Sequence, residues 1–217
     1  MKTITLIALV CCMVAGAQQN NDLEVTDVES LRYYERVMIE AGMRIPMDKL
    51  GDKMGASPEA GFWFRSRMRN GDMFDIGFSA YVPAATTPFD YEDRGESYKV
   101  SPAGASGMAG FRMCKVYDLE GTRYRKSVEW ISSFGYAWFM YRDRYAIDEG
   151  PRPGGNPEEV STLKSFSTFH IGQGLRFNVD NVGFQVNYSY TPYGQFSSHV
   201  PKDFGSHALT VGVVYRQ

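Results

Sequence analysis

Hydrophobic and polar residues alternate with a period of two along much of the chain. The clearest example is NVGFQVNYSYTPY, residues 181–193. Val182, Phe184 and Val186 share one parity with two tyrosines, and glycine, glutamine, asparagine and serine occupy the other. Because successive side chains point to opposite faces of a strand, this pattern predicts a β-strand with one apolar and one polar face.

Eight segments carry this alternation, and each is predicted to be a strand. They are residues 33–45, 61–69, 72–82, 109–117, 123–141, 165–177, 180–190 and 206–216. Most of them have the about 9–11 residues that a tilted strand needs to cross a bilayer. No segment with the period of a helix is comparably strong.

The connections between these segments alternate in length. Three are short, around Asn70-Gly71, around residues 119–121 and at residues 178–181. Four are long and hold nearly all the prolines: residues 46–60, 83–108, 142–164 and 191–205. Strict alternation of this kind is typical of an outer-membrane barrel, with short periplasmic turns and long outside loops. Asn70-Gly71 predicts a tight hairpin turn, because both residues tolerate positive φ.

Glycine indicates which face points inward. Every predicted strand has at least one glycine on its polar parity: Gly42, Gly61, Gly77, Gly110, Gly135, Gly172, Gly174, Gly183 and Gly212. On a water-facing surface glycine would only weaken the strand, whereas in a narrow barrel it makes room for large neighbours. The polar face is therefore predicted to line the lumen, and the apolar face to contact lipid.

Charged residues share the polar parity with these glycines. They predict a lumen charge network that comprises Arg36, Glu40, Arg44, Arg65, Arg67, Asp75, Glu129, His170, Arg176 and Arg216, and Arg112 lies on the same parity. Arginine suits enclosed carboxylates because its planar guanidinium binds them with two parallel hydrogen bonds. Binding of an anionic ligand by the arginine row of residues 61–69 is the alternative interpretation.

The N-terminal residues are typical of an export signal. Lys2, an apolar run from Ile4 to Val14 and Ala15-Gly16-Ala17 predict a secretory signal peptide over residues 1–17, which carries away Cys11 and Cys12. Residues 18–30 are expected to be a short periplasmic tail, and residues 31–217 the barrel. Cys114 then remains without a cysteine partner. The formal net charge of −2 gives no basic field, so a nucleic-acid partner is not expected.

The signal peptide, the order of the loops and the last strand HALTVGVVYRQ together resemble a small eight-stranded bacterial outer-membrane β-barrel of the OmpX or OmpA-domain type. The resemblance implies an all-β, up-and-down antiparallel transmembrane barrel in the outer membrane of a Gram-negative cell. It also implies outer-membrane lipid and the barrel-assembly machinery as partners, and no particular activity. The chain departs from the family pattern by ending in Arg216-Gln217 instead of an aromatic residue.

Few residues carry recognisable chemistry. The histidines His170, His199 and His207 have no second histidine or cysteine at metal-ligand spacing, so no metal or cofactor is predicted. His170, with Ser165 or Thr168 nearby, is the candidate general base for an outer-membrane enzyme that modifies lipid.

Aromatic residues in the long loop 83–108 are the candidates for contact with a partner. They are Phe89, Tyr91 and Tyr98. The favoured interpretation is a non-enzymatic barrel with a structural or partner-binding role through its long loops, including that of an accessory subunit of a larger assembly. The alternatives are a lipid-modifying enzyme, a narrow pore and a soluble secreted lipocalin-like barrel with an apolar ligand cavity.

Overall fold

The chain forms a closed barrel of eight antiparallel strands. The computed structural model describes residues 37–84, 88–93, 95–119, 125–142 and 163–217. Within them the eight-stranded antiparallel barrel predicted from the alternation is confirmed. The predicted signal peptide (1–17), the predicted tail (18–30) and Arg36 lie outside the described residues.

Ten strands and two short helices make up the described chain, and eight of the strands close the barrel. The strands are β1 (Val37–Pro46), β2 (Ser57–Arg67), β3 (Met73–Tyr81), β4 (Phe89–Asp93), β5 (Glu96–Pro102), β6 (Ser106–Leu119), β7 (Lys126–Arg142), β8 (Leu163–Val179), β9 (Val182–Tyr190) and β10 (His207–Arg216). The helices are α1 (Asp48–Gly51) and α2 (Tyr193–Phe196). Around the barrel the order is β1-β2-β3-β6-β7-β8-β9-β10, and β10 pairs with β1. No helix in the described ranges is long and apolar enough to span a membrane.

The strand register shows how steeply the strands tilt. A row of paired residues that starts at Val37 returns to β1 at Met47, ten residues further along the chain. The row is Val37, Phe64, Ile76, Phe111, Phe134, Ile171, Tyr190, His207 and Met47. A stagger of this size requires strands inclined to the barrel axis, typically by about 35–45°.

The barrel is apolar outside and polar inside. On β9, Phe184 is 59% exposed, whereas Gln185 on the opposite face is 4% exposed. The same parity holds on the other barrel strands, with Ile76 and Val211 outside and Asp75 and Thr210 inside. This arrangement is that of a transmembrane barrel. The interpretation as a soluble lipocalin-like barrel, which needs an apolar cavity and a wet exterior, is therefore wrong.

The short connections lie at one end of the barrel, which we call the turn end, and the opposite end is the loop end. At the β2–β3 turn, the Met68 N–H donates to the Asp72 carbonyl at 2.8 Å and the Gly71 N–H donates to the Met68 carbonyl at 3.1 Å. Gly71 takes φ of +89°, but Asn70 does not take positive φ. The tight turn predicted at Asn70-Gly71 is present, and its loop of three residues needs the left-handed conformation only at the last position.

The predicted loop 83–108 contains regular structure. β4 and β5 form a hairpin within it, and Pro102 and Ser101 of β5 pair with the end of β7. β7 and β8 continue past the barrel at the loop end as far as the pair Arg142 and Leu163. The hairpin therefore lies on a two-stranded extension of the barrel wall.

The inward glycines serve two purposes. A Cβ atom on Gly61 would lie 2.9 Å from Trp63 Nε1, so this glycine makes room for a lumen side chain as predicted. A Cβ atom on Gly77 would instead lie 2.1 Å from the backbone carbonyl oxygen of Phe62 on the next strand. Glycine at such positions lets neighbouring backbones approach as closely as a sharply curved wall requires.

Candidate functional site

The lower half of the lumen, towards the turn end, is filled by paired charges. Arg65 of β2 lies between two carboxylates. Its Nε and Nη2 atoms donate to the carboxylate of Asp75 at 2.8 and 3.0 Å, and Nη1 and Nη2 donate to Glu129 at 2.8 Å each. The guanidinium therefore makes a bidentate pair with each acid.

A second ion pair joins β1 to β6. The Nη1 and Nη2 atoms of Arg112 donate to the Glu40 carboxylate at 2.5 and 3.0 Å. The guanidinium of Arg112 lies 3.5 Å from the ring centroid of Trp63, in a cation–π contact. The Trp63 indole N–H donates to Glu40 at 3.1 Å. Trp63 thus contacts both members of the pair.

Arg176 of β8 links the two pairs. Its Nη2 atom donates to Glu40 at 2.9 Å and its Nη1 atom donates to Glu129 at 2.9 Å. The Gln185 amide oxygen accepts from its Nε at 3.1 Å. The side chain of Arg176 is 0% exposed. A guanidinium at this position therefore holds the two halves of the network together.

We call this set the lumen network, and every barrel strand contributes to it. Its members, in the order of the wall, are Glu40, Trp63 and Arg65, Asp75, Arg112, Glu129, Arg176 and Asn178, Gln185 and Arg216. Three carboxylates face three central arginines, and Arg216 approaches Glu129 at 3.7 Å from the turn end. Because charges this deeply buried are costly unless they are paired, the balance of signs is what allows them to remain inside.

The structure brings together six of the ten residues predicted for a lumen charge network: Glu40, Arg65, Asp75, Glu129, Arg176 and Arg216. Arg44 is separate, because its Nη1 atom lies 3.8 Å from Glu59 and its guanidinium lies over the ring of Tyr81. Arg67 is exposed at the end of β2 and is not buried with the network, because the strand there leaves the enclosed part of the lumen.

Three polar members of the lumen network were not predicted from the sequence to belong to it: Trp63, Asn178 and Gln185. Asn178 donates to Glu129 at 2.9 Å and to Ser127 at 3.1 Å. All three lie on the inward parity, which was available from the alternation, but uncharged residues there gave no reason to expect a partner. Trp63 is 0% exposed although tryptophan is usually interpreted as a lipid-facing residue in a barrel.

Above the lumen network lies a small polar cavity of about 30 Å³. It has room for about two water molecules. His170 borders it, with its Nε2 atom 2.9 Å from the Ser133 hydroxyl of the adjacent strand. His170 therefore does not pair with Ser165, which is exposed outside, and it contacts none of the network carboxylates. The Thr168 hydroxyl is directed instead to the Pro192 carbonyl at 3.5 Å.

The loop end is closed by a cluster of aromatic and aliphatic side chains, which we call the aromatic cap. Its buried members are Leu50, Met54, Phe89, Tyr91, Val100, Phe139, Tyr141, Tyr193, Val200 and Phe204, and Phe166 packs against them. Phe89 is 4.7 Å from Phe204 and 6.1 Å from Phe139, measured between ring centroids. Residues from the β4–β5 hairpin, the β7–β8 extension and the 191–205 connection thus share one small core.

The cap corrects the prediction of an exposed aromatic contact surface. Phe89 and Tyr91 are buried, because the face of the hairpin that carries them packs against β7 and β8. Tyr98 is partly buried and packs against the cap, and its hydroxyl donates to the carboxylate of Glu96. The exposed side of the hairpin carries Asp90 and Lys99 instead.

Hydrogen bonds join the long connections to each other. The Glu92 N–H donates to the His199 carbonyl at 2.7 Å, and the His199 ring Nδ1 lies 2.6 Å from the Glu92 carbonyl oxygen. The imidazole also stacks on Tyr91 with ring centroids 5.0 Å apart. In α2, burial raises the pKa of Tyr193 well above its usual range, with a further contribution from Tyr81, so the phenol stays protonated in the cap.

No cluster of three or more histidine, cysteine or acidic side chains suited to a metal ion occurs within the described ranges. Cys114 is buried, and its thiol donates to Asp75 at 3.3 Å. The carboxylates that could hold a cation are already bound by arginine. The arrangement is therefore suited to closing and stiffening the barrel.

Comparison with known proteins gives similarity to solved structures alone. No protein-family model matches the chain. No curated protein matches it either. Among solved structures, the chain is similar to Ail, the attachment invasion locus protein of Yersinia pestis, whose crystal structure contains the heparin analogue sucrose octasulfate. The identity is 14% and the TM-score 0.36, over 83% of this chain and 95% of that one.

Proposed function

We propose that the protein is an integral outer-membrane barrel with a structural or partner-binding role, and that it neither conducts solutes nor catalyses a reaction. The observation that carries this proposal is the continuous filling of the lumen. The lumen network closes its lower half, and the aromatic cap covers its loop end. Between them, the two described cavities that border His170 measure about 30 and 10 Å³.

The outer wall supports the membrane assignment. Its exposed side chains are mostly aliphatic or aromatic, as on Ile39, Phe78 and Val213. A closed barrel satisfies its backbone hydrogen bonds around the whole ring, which hydrocarbon requires. Placing the turn end in the periplasm and the loop end outside the cell follows the usual arrangement of such barrels.

The geometry around His170 argues against catalysis on lipid. Its ring faces the lumen and is 4% exposed, and the adjoining cavity is too small for an acyl chain. A general base must reach the proton that it abstracts. A lipid on the outer surface cannot reach His170, because the paired strands β7, β8 and β9 separate that surface from the lumen.

The rigid loop end supports a role in binding. Loops that share a buried core and interloop hydrogen bonds present their exposed side chains in one fixed arrangement, which lowers the entropic cost of association. One aromatic side chain there, Phe196, is 63% exposed, and its ring centroid lies 5.2 Å from that of Phe169.

Fractionation tests the membrane assignment, and mass spectrometry tests the absence of catalysis. We expect the protein in the outer-membrane fraction, extracted by detergent and shifted on a gel when it is heated. Release into buffer as a monomer would overturn the proposal. We expect lipid A mass spectra that do not change between cells with wild-type protein and cells with His170→Ala, whereas a mass change that depends on His170 would favour the enzyme.

A further inference from the structure

Away from the strand ends, the described lipid-facing wall of the barrel has one polar area, which is centred on β7 and β8 and includes Lys115 of β6 beside them. Ser132 and Gln173 are directly paired there, and their other cross-strand neighbours are Met113 and Tyr188. Along the strands they lie between apolar outward residues, Trp130 and Phe134 on β7, and Leu175 and Ile171 on β8. Apart from Lys115, other polar side chains of the described outer wall, such as Ser66 and His207, lie towards strand ends.

The Gln173 side-chain amide uses its oxygen as an acceptor twice, but its two N–H donors remain available. Its Oε1 atom accepts from Trp130 Nε1 at 2.8 Å and from the Ser132 hydroxyl at 3.1 Å. The indole N–H can only donate, so the amide oxygen must face it, and both lone pairs of that oxygen are then used. The two N–H groups of the Gln173 amide have no hydrogen-bond partner among the described residues.

Unsatisfied amide donors in hydrocarbon cost free energy that a leucine would avoid. Lipid chains offer no acceptor, because the ester and headgroup oxygens lie at the two rims of the bilayer. A polar group at this position is therefore explained if another protein covers it.

We propose that Trp130, Ser132 and Gln173, together called the amide patch, form a docking surface for a membrane-spanning partner of a different chain, which presents a hydrogen-bond acceptor to the Gln173 amide. This inference rests on the proposed partner-binding function and supplies its surface. Lys115 of β6, directly opposite Trp130, adds a positive charge on the same side of the barrel. The partner surface is accordingly acidic or rich in acceptors.

Charge complementarity disfavours a second copy of this chain. In a two-fold symmetric contact the same patch meets itself, so Lys115 would face Lys115. No acidic side chain occupies an outward-facing position on the described parts of the eight barrel strands. From the described parts of this wall, a second copy could offer uncharged acceptors such as hydroxyl oxygens, but no negative charge to complement Lys115.

The test uses the full-length protein in the membranes of the cell that makes it. A photo-crosslinking benzoylphenylalanine replaces Phe134, beside the amide patch, or Met43, on β1 across the barrel. We expect one discrete crosslinked protein from Phe134 and none from Met43. Adding Gln173→Leu should reduce that product about tenfold, as expected for loss of a buried hydrogen bond, whereas Ser66→Ala, a polar-to-apolar change at another outward position, should leave it unchanged.

Stability of the purified barrel in lipid vesicles separates docking from a role in the wall. We expect Gln173→Leu to leave the denaturant midpoint unchanged or higher. A lower midpoint with an unchanged crosslink would show a structural role and overturn the inference. Crosslinks only to lipid, or only to a second copy, would overturn it as well. A gel shift on heating the same samples shows whether the protein is a folded membrane barrel. A failure of the proposed function is thereby distinguished from a failure of the docking inference.

Discussion

The lumen network and the aromatic cap fill two ends of one barrel by opposite means. The network consists of charges that are nearly all enclosed, and each depends on a partner from another strand, as Arg176 depends on Glu40 and Glu129. The cap consists of aromatic and aliphatic side chains, and three long connections supply most of them. The network therefore requires the closed wall, whereas the cap requires only that the loops meet.

This difference predicts how each region fails. Removing one member of a buried ion pair leaves an uncompensated charge in a site that is buried from bulk solvent. Removing one aromatic ring leaves a void that neighbouring rings can partly fill. Damage to the network should therefore weaken the whole barrel, and damage to the cap should open the loop end alone.

The largest effect is expected from Arg176→Met. The substitution removes the cation shared by Glu40 and Glu129 and should lower the free energy of unfolding by about 3–5 kcal/mol. Denaturant unfolding in lipid vesicles, followed by tryptophan fluorescence, measures it. Arg67→Met is the matched control, because Arg67 is exposed at the turn end, and should change the free energy by less than about 1 kcal/mol. Equal losses in both variants would contradict the role given to the network.

A smaller and local effect is expected from Phe139→Ala in the cap. Phe139 is 0% exposed and touches Phe89, Phe166 and Phe204. Its loss should destabilise the cap by about 3 kcal/mol. Hydrogen exchange should become faster in β4 and β5, while β1 and β10 keep their protection. Faster exchange throughout the barrel would show that the cap and the wall unfold as one unit.

Gly77→Ala tests whether the wall around the network depends on close backbone contact. The added Cβ would meet the Phe62 carbonyl, and overpacking of this kind should cost about 1–3 kcal/mol. Gly55→Ala is the control, since no atom beyond its own chain neighbours lies within 4 Å of its Cβ position. Denaturant midpoints in vesicles measure both. A neutral Gly77→Ala would show that the strands can separate locally without loss.

The smallest effect is expected from His199→Ala, which removes the imidazole contacts to Glu92 and Tyr91. The backbone hydrogen bond from the Glu92 N–H to the His199 carbonyl is kept. The cap should lose about 1 kcal/mol, measured as faster proteolysis in the loops with an unchanged denaturant midpoint. Resistance to protease equal to that of the wild type would mean that the backbone contact alone joins the connections.

The sequence predicted the wall well because parity is a local property. The alternation of Phe184 with Gln185 is sufficient to place one outside and one inside. The same reasoning placed Glu40 and Arg176 in the lumen, although it could not show that they touch, because their contact depends on the register of strands that are far apart in sequence. It also placed Arg67 with them, since parity says nothing about where a lumen opens.

The cap was missed for a different reason. Phe89 and Tyr91 alternate with Asp90 as in a strand, but the prolines and acidic residues around them favoured a loop. Whether an aromatic loop residue is exposed or buried depends on what the other loops bring to it. Phe204 and Phe139 are 115 and 50 residues away from Phe89 in the chain, and only the closed barrel brings the three together.

Current recording in planar bilayers tests the filled lumen most directly. The purified wild-type protein, inserted and shown to be heat-modifiable, should give a flat baseline without unitary steps. Arg65→Ala, which removes a cation from the lumen network, is recorded beside it. Unitary currents that persist in pure wild-type protein and change with Arg65→Ala would show an open path through the lumen and contradict the account.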